Sequence, residues 1–353
     1  MWPCRIQPAT VFPFLTFTLL FASGAGSQGA ALLVDRGLPP ADSPGVRLRV
    51  GWSAKDGILV TDHFMLGEPG ELWVIDKVRI WAVPGLQSGT PNALGDFFER
   101  ITLYGGLESE NPPATSQAAA AECACHGPIP IAATPLGRGA NVSQSPQVVL
   151  TPVTYAGGAA YREEGRSLSI WQMDFQDLRW NVPGGLSIQF GVLGQGRPGT
   201  GQNGRHVWFN HASTTSGKHQ FRLFETGGSP VLPPVGVLPA DESVGINVQV
   251  WGHLSASAEI RSSGNAWQVV LLGGPKFDVL QVKPGSLRFG PRGAAPGGSK
   301  VEDSDHDGQA DLVLRFSASE AGIAPNHVNA CLSGLRLDGV PFEACGLVHS
   351  GKN

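Results

Sequence analysis

The sequence predicts an all-β protein made of two β-sandwich domains of jelly-roll-like character. Apolar and polar residues alternate with a period of two along segments such as 73–81 and 186–190, which places one face of each strand in a core. The 353 residues include 48 glycines and 28 prolines, whereas only 15% of residues are charged. This balance favours short strands joined by turns over long helices with charged outer faces.

The expected strands are spaced at roughly one turn signal per 8 to 12 residues, as in sandwich folds. In the first part of the chain they are 46–52, 59–65, 72–82, 99–104, 147–155, 168–175, 185–193, 206–209 and 220–224. In the second part they are 246–251, 266–272, 279–282, 286–289, the segment after the acidic loop described below, and a hairpin near the carboxyl end.

Composition divides the chain into segments. Residues 30–226 are predicted to form the first sandwich and 245–349 a second, smaller one. Between them, 227–244 contains four prolines, so we expect a linker of extended polyproline geometry. The stretch Glu108 to Ala140, rich in Ala, Pro and Ser, is predicted to be a long excursion from the first domain.

The amino terminus has the pattern of a secretory signal peptide. Arg5 precedes the apolar run Val11 to Ala22, and small residues follow, so residues 1–27 are predicted to be removed on export. The run is shorter than the roughly 20 apolar residues of a membrane-spanning helix, and we expect no transmembrane segment. The predicted location is therefore extracellular or periplasmic.

Charge and cysteine content agree with export. The formal net charge is −4, which makes nucleic acid an unlikely partner. Without Cys4, four cysteines remain, an even number that suits an oxidising compartment. Cys331 and Cys345 flank the turn Leu337-Asp338-Gly339 and are expected to bridge a hairpin, whereas the pairing of Cys123 and Cys125 stays open.

Residues 301–316, VEDSDHDGQADLVLRF, contain a candidate metal loop. Carboxylates occupy positions 1, 3, 5 and 9, namely Asp303, Asp305, Asp307 and Asp311. Gly308 permits the sharp turn, and the carbonyl of Gln309 is predicted to add a backbone oxygen. Alternate side chains of a tightly curled loop can converge on one Ca²⁺, which takes six to eight oxygens. The alternative is a solvated acidic turn.

The loop is not that of an ordinary EF-hand. Position 12, which holds a bidentate glutamate in EF-hands, is Leu314, and Leu312 to Phe316 has the composition of a strand. It resembles the compact nine-residue calcium loops that lie between strands in integrin propellers and thrombospondin-type repeats. The ion is therefore expected to stabilise the fold and to take no part in catalysis.

Longer motif strings resemble two bacterial groups. FDVLQVKPGSLRFGP at 277–291, the acidic loop, and Ala330 to Gly334 resemble an uncharacterised module of secreted bacterial proteins, over about residues 246–348. The larger part, through 73–78, 178–185 and 207–213, is similar to exported bacterial surface-protein sandwiches. Both resemblances imply an exported β protein, and neither implies an established activity.

The sequence offers candidates for three other kinds of site. Nine tryptophans allow a carbohydrate platform formed by Trp52, Trp171, Trp180 or Trp208, although burial in a core is the commoner role of such residues. An extracellular hydrolase would need converging carboxylates, for which Asp174, Asp177 and Glu225 are the first candidates. His206, His211 and His219 were weighed as a shared site, but a spacing of five places the first two on opposite strand faces.

The sequence thus predicts a secreted bacterial protein that is non-enzymatic, carries a structural Ca²⁺, and acts in binding or assembly at or outside the cell surface. A carbohydrate-binding or adhesive module and an extracellular hydrolase are the alternatives. A carbohydrate or a cell-surface component is the partner class that these functions imply.

Overall fold

The computed structural model describes most of the predicted strands. The structure describes residues 30–38, 41, 47–50, 58–84, 98–107, 129–135, 148–153, 155–156, 161–163, 166–168, 170–196, 207–212, 220–223, 236–239, 245–324 and 327–349. The predicted signal peptide and the cysteines at 123 and 125 lie outside these residues. No helix in the described ranges has the length and apolar character needed to cross a membrane.

Almost all of the regular secondary structure among the described residues is β-strand, which confirms the predicted all-β class. The strands of the first part are β1 Ala31–Asp35, β2 Arg47–Val50, β3 Ile58–Met65, β4 Leu72–Pro84, β5 Phe98–Leu107, β6 Ile129–Pro135, β7 Val148–Pro152, β8 Tyr161–Glu163, β9 Arg166–Leu168, β10 Trp171–Phe175, β11 Trp180–Pro183, β12 Ser187–Gly196, β13 Val207–Ala212, β14 Gln220–Leu223 and β15 Gly236–Pro239.

The second part contains eight more strands and one short helix among the described residues. These are β16 Gly245–Ile246, β17 Val248–Ser263, β18 Ala266–Leu271, β19 Arg288–Phe289, β20 Gly298–Glu302, β21 Asp311–Ser317, α1 Ala318–Ala321, β22 Asn329–Leu335 and β23 Pro341–His349. Two single 3-10 turns, Val279–Gln281 and Pro284–Ser286, lie between β18 and β19.

The strands form two main sheets and one separate hairpin. A sheet of 15 strands follows the path β16-β13-β4-β17-β18-β21-β20, with the other strands attached along it. A sheet of six strands has the order β15-β14-β3-β12-β5-β6, and β8 pairs only with β9. Phe64 on β3 meets Trp180 on β11 edge to face, with ring centroids 6.3 Å apart, so the two sheets contact each other through their apolar faces.

Strand β17 joins the two parts of the chain. Its first half pairs antiparallel with β4 and with β1, whereas its second half pairs antiparallel with β18 and parallel with β23. Leu254 lies between Trp73 on one side and Phe342 on the other, so β1 and β23 follow each other along one edge of β17. Most buried apolar residues of both parts belong to one cluster, and Trp81 and Ile170 form a second, smaller one. The division into two domains stays a prediction.

Two segments that were expected to be an excursion and a linker each contain a strand. The excursion 108–140 contains strand β6, and the proline-rich segment 227–244 contains strand β15. These two strands are the outer edges of the six-stranded sheet. Proline lacks an N–H and is tolerated in a strand that has no partner on one side. The prolines in these two segments are therefore compatible with edge strands.

Other differences are local. Residues 279–282 were expected to be a strand, but Val279–Gln281 forms a 3-10 turn in which the Asp278 side chain accepts the Leu280 N–H. Strands β1, β8, β11 and β20 were not predicted, and β9 shares only Leu168 with a predicted strand. The predicted strand beginning at 246 is confirmed, but β17 continues to Ser263 because its alternating face stays partly covered beyond residue 251.

Gly252 provides a test of the junction between β4 and β17. A Cβ added there would lie 2.2 Å from the main-chain oxygen of Val74, whereas one added at Gly274 would meet nothing within 4 Å. We expect Gly252→Ala to lower the free energy of unfolding by about 1–3 kcal/mol, since the backbone must move. Urea denaturation measures the change. Gly274→Ala is the matched control, expected to stay within about 0.5 kcal/mol of wild type.

Candidate metal loop and neighbouring sites

The acidic loop closes the hairpin of β20 and β21. Glu302 and Asp311 form the last register pair of this hairpin, so residues 303–310 make the connection. Two positions in the connection have left-handed backbone, His306 with φ of 65° and Gly308 with φ of 86°. Glycine adopts this conformation without steric cost, and histidine does so more often than most other residues. The chain can therefore curl on itself within eight residues.

Three carboxylates of the loop converge. Asp303, Asp305 and Asp311 each offer an oxygen, and these oxygens lie within 4.8 Å of one another. Asp303 and Asp305 are exposed, whereas Asp311 is only 1% exposed. The spacing and the all-oxygen chemistry mean that this group can hold a metal ion.

Backbone hydrogen bonds fix the three carboxylates. Asp311 is the most constrained, since its Oδ1 accepts the Gly273 N–H at 2.8 Å and its Oδ2 accepts the Ser304 N–H at 2.7 Å. Asp303 Oδ2 accepts the Gly308 N–H at 3.2 Å, and Asp305 Oδ1 accepts the Asp307 N–H at 3.1 Å. Asp311 thus ties the loop to the segment after β18.

Asp307, a further predicted ligand, is not among the three converging carboxylates. Asp307 Oδ1 accepts the Gln309 N–H at 2.7 Å, which turns this carboxylate along the chain. Ligation by Asp307 and by the Gln309 carbonyl stays a prediction. The predicted strand after the loop is confirmed as β21, so the loop connects strand to strand and not strand to helix.

The hairpin disulfide is confirmed. Cys331 on β22 and Cys345 on β23 are register partners, and their sulfur atoms are bonded at 2.02 Å. The turn between the two strands contains Gly339 with φ of 87°, as the sequence Leu-Asp-Gly indicated.

Trp171 and Trp180 do not form the carbohydrate platform that was considered as an alternative. Trp171 is 5% exposed and Trp180 is 9% exposed, and both belong to the core cluster. The side chain of Trp208 lies outside the described residues, and none of the described tryptophan side chains is exposed. Ring faces that pack inside a protein are not available to stack on a sugar.

The carboxylates considered for hydrolysis do not form a pair in the described structure. Asp174 is bound by Arg79, with Nε to Oδ1 at 2.6 Å and Nη2 to Oδ2 at 3.0 Å, and Lys77 lies 3.4 Å away. Asp177 is exposed on a left-handed turn, with φ of 55°. Glu225 and the side chains of the three histidines lie outside the described residues.

A cleft beside the metal loop was not predicted. It has a volume of about 350 Å³ and is lined by residues of the β3–β4 connection, by 254–257 of β17 and by 272–277. Strand β4 pairs with β17 up to Leu254, and β18 pairs with it from Ala258 onwards. The cleft therefore lies where β17 passes from one neighbouring strand to the next. Its components are far apart in sequence, so no local pattern pointed to it.

A second group missed from the sequence is polar and lies on the six-stranded sheet. Gln189 Nε2 donates to Thr61 Oγ1 at 2.9 Å, and His63 is the register partner of Gln189. Burial raises the pKa of the nearby Tyr104 phenol above its ordinary value, although a hydrogen bond with Thr102 and the charge of Arg100 act in the opposite direction. The alternation of apolar and polar residues predicted that each strand has two different faces. It did not predict that polar residues on one of these faces would be buried.

Comparisons with protein-family models and with curated proteins found no match to this chain.

Asp311 is predicted to support the fold even without metal. Asp311→Ala leaves the Gly273 and Ser304 N–H groups without their acceptor, so we expect a loss of about 1–3 kcal/mol in urea denaturation with chelator present. Asp303→Ala, at an exposed position of the same loop, is the control and should cost less than about 1 kcal/mol there. Equal losses for the two variants would contradict this difference in roles.

Proposed function

We propose that the chain is a secreted, non-enzymatic bacterial protein that binds Ca²⁺ through Asp303, Asp305 and Asp311 and acts in binding or assembly at or outside the cell surface. The single observation that carries the proposal is the convergence of three carboxylate oxygens within 4.8 Å on one hairpin. The ion stabilises the hairpin, and the protein surface next to it provides the binding function.

The donor set favours Ca²⁺ over other divalent ions. The three ligands are carboxylates, and softer metals such as Zn²⁺ prefer sites with histidine nitrogen or cysteine sulfur. Mg²⁺ requires a near-ideal octahedron at about 2.0–2.1 Å, whereas Ca²⁺ accepts irregular sets of six to eight oxygens at about 2.3–2.6 Å. Water and main-chain carbonyls complete such a set in a loop that is mostly exposed.

The ion relieves repulsion among three negative charges. Like charges at this separation disfavour each other, and a divalent cation between them reverses the sign of the interaction. Because Asp311 also accepts a hydrogen bond from Gly273, the ion stabilises the segment after β18 as well as the hairpin. This arrangement supports a structural role.

The cleft supports the binding part of the proposal. Its volume of about 350 Å³ falls within the range of small-ligand clefts, and Gly273 both lines it and donates to Asp311. A ligand in this cleft would contact a segment whose position the metal loop fixes. Secretion is supported by the sequence of residues 1–27 and agrees with the disulfide between Cys331 and Cys345.

The alternatives have less support. A carbohydrate module based on Trp171 and Trp180 needs exposed rings, and both rings are buried. A hydrolase based on Asp174 needs a free carboxylate, and this one is neutralised by Arg79 and Lys77. Binding or assembly therefore remains the proposed function.

Calcium removal tests the proposal directly. At a Ca²⁺ concentration 100 times the Kd, binding adds about 2.7 kcal/mol to the free energy of unfolding, so chelator should lower the Tm by several degrees. Asp305→Ala should abolish most of this difference while changing the Tm in chelator little. Differential scanning calorimetry with added Ca²⁺, and in parallel Mg²⁺ or Zn²⁺, measures both effects.

Glu259→Ala is the matched control, because Glu259 is an exposed carboxylate whose partner is the neighbouring Arg261. It should keep the full response to Ca²⁺. The proposal of a calcium site fails if the wild-type Tm is the same with Ca²⁺ and with chelator, or if Zn²⁺ alone raises it.

A further inference from the structure

The hairpin of β22 and β23 carries two sulfurs and a carboxylate close together. Cys331 Sγ, Cys345 Sγ and an oxygen of Glu343 lie within 4.8 Å of one another. Cys345 is exposed, whereas Cys331 and Glu343 are half-buried. Solvent, and small molecules dissolved in it, therefore reach this group.

Strand pairing and alternation place the three side chains on one face. Cys331 and Cys345 are register partners, and Glu343 precedes Cys345 by two residues on β23. Residues two apart in a strand point to the same side of the sheet. The neighbouring residues Leu332 and Ala344 are buried in the core cluster. The sulfurs and the carboxylate thus lie on the outer face of the hairpin.

The hairpin does not depend on the disulfide alone. Strands β22 and β23 pair over seven positions, from Asn329 with Leu347 to Leu335 with Pro341. Strand β23 also pairs with β17, and β22 also pairs with β19. Reduction of the disulfide therefore frees two thiols without removing the ladder that keeps them side by side.

We propose that Cys331, Cys345 and Glu343 bind one Zn²⁺ when a thiol reductant opens the disulfide. Two thiols of the reductant lose their protons and two electrons and become a disulfide, while the Cys331–Cys345 bond becomes two thiols. Zn²⁺ then displaces the two cysteine protons and forms two Zn–S bonds and one Zn–O bond. An oxidising disulfide reverses the exchange and releases the ion, so the metal and the disulfide exclude each other.

The donor set suits Zn²⁺. This ion binds thiolate sulfur at about 2.3 Å and carboxylate oxygen at about 2.0–2.2 Å, in a tetrahedron. Such bonds place sulfur and oxygen about 3.6 Å apart. Cys345 Sγ lies 3.4 Å from Glu343 Oε1 even in the disulfide form. Water fills the fourth position, as in other zinc sites with three protein ligands. Ca²⁺ and Mg²⁺ prefer oxygen ligands and compete poorly for two sulfurs.

The charges around Glu343 also suit a divalent cation. Arg179 Nη1 binds Glu343 Oε1 at 3.0 Å, but the Arg179 side chain is 67% exposed, so this contact is weak. A carboxylate has enough lone pairs to accept from Arg179 and to bind a metal ion as well. Two thiolates and one carboxylate carry three negative charges, which Zn²⁺ and the guanidinium together balance.

Zinc titration of the purified protein tests the inference. Cys4→Ser, Cys123→Ser and Cys125→Ser leave Cys331 and Cys345 as the only cysteines. The chain is reduced with dithiothreitol, which is then removed under argon. We expect isothermal titration calorimetry to show one more Zn²⁺ bound by the reduced chain than by the oxidised one. Co²⁺ in place of Zn²⁺ should give a thiolate-to-metal charge-transfer band after reduction only.

This difference between the two redox states does not depend on the proposed calcium site. Any Zn²⁺ that the acidic loop takes up is bound in both states, because the loop contains no cysteine. Equal Zn²⁺ binding before and after reduction overturns the inference and leaves the calcium and secretion proposals standing. A disulfide that opens only when the protein unfolds also overturns it.

Glu343→Gln keeps the size of the side chain and removes its charge. Loss of an outer-shell partner already costs about 10–100-fold in metal affinity, so loss of this ligand should weaken Zn²⁺ binding to the reduced chain by about 100-fold. Glu68→Gln, at a carboxylate that is 77% exposed and outside the group, is the matched control and should bind like the wild type. Equal affinities for Glu343→Gln and Glu68→Gln contradict the assignment of Glu343 as a ligand.

Alkylation gives a second readout that needs no change at Glu343. A thiolate uses the same electron pair to bind a metal and to attack iodoacetamide. Zn²⁺ should therefore slow the labelling of reduced Cys331 and Cys345, which peptide mass spectrometry measures. Equal labelling rates with and without Zn²⁺ overturn the inference.

Discussion

Strand β17 is the constraint on which the rest of the structure depends. It runs for 16 residues, and its hydrogen-bonding edges are shared among β1, β4, β18 and β23. Several features of the large sheet take their position from this strand. Strand β18 carries β21 and the metal loop, β23 carries the disulfide hairpin, and β4 carries the face that packs on the six-stranded sheet. Because the strand is common to both parts of the chain, its alternating face also belongs to a single apolar core.

Charged side chains lie where an edge of β17 passes from one neighbouring strand to the next. The cleft beside the metal loop occurs where β17 passes from β4 to β18, and Asp76, His253 and Glu343 meet where the other edge of β17 passes from β1 to β23. At such changes the ladder hydrogen bonds are interrupted, and side chains or loop residues must satisfy the exposed backbone groups. Asp311 does this for Gly273, and the bulge at Asp76 turns a carboxylate towards His253. Polar sites in this protein are thus a consequence of its strand order.

The sequence predicted features that depend on neighbouring residues. The alternation in 73–81 gave β4, and the aspartate spacing gave the acidic loop and the strand that follows it. Cys331 and Cys345 were paired because only a short hairpin separates them. The prolines of β6 and β15 were interpreted as signs of irregular structure, because a proline-rich sequence does not distinguish an edge strand from a loop. The contact between Asp76, His253 and Glu343 joins residues up to 267 positions apart, and only the register of β17 brings them together.

Two cross-links hold the second part of the chain together. The disulfide joins β22 to β23, and Asp311 joins the acidic loop to the segment after β18 through the Gly273 N–H. The strands that carry these links are connected, since β22, β23, β17, β18 and β21 are successive neighbours. Strand β17 therefore lies between the two links, and a shift of this strand would disturb both.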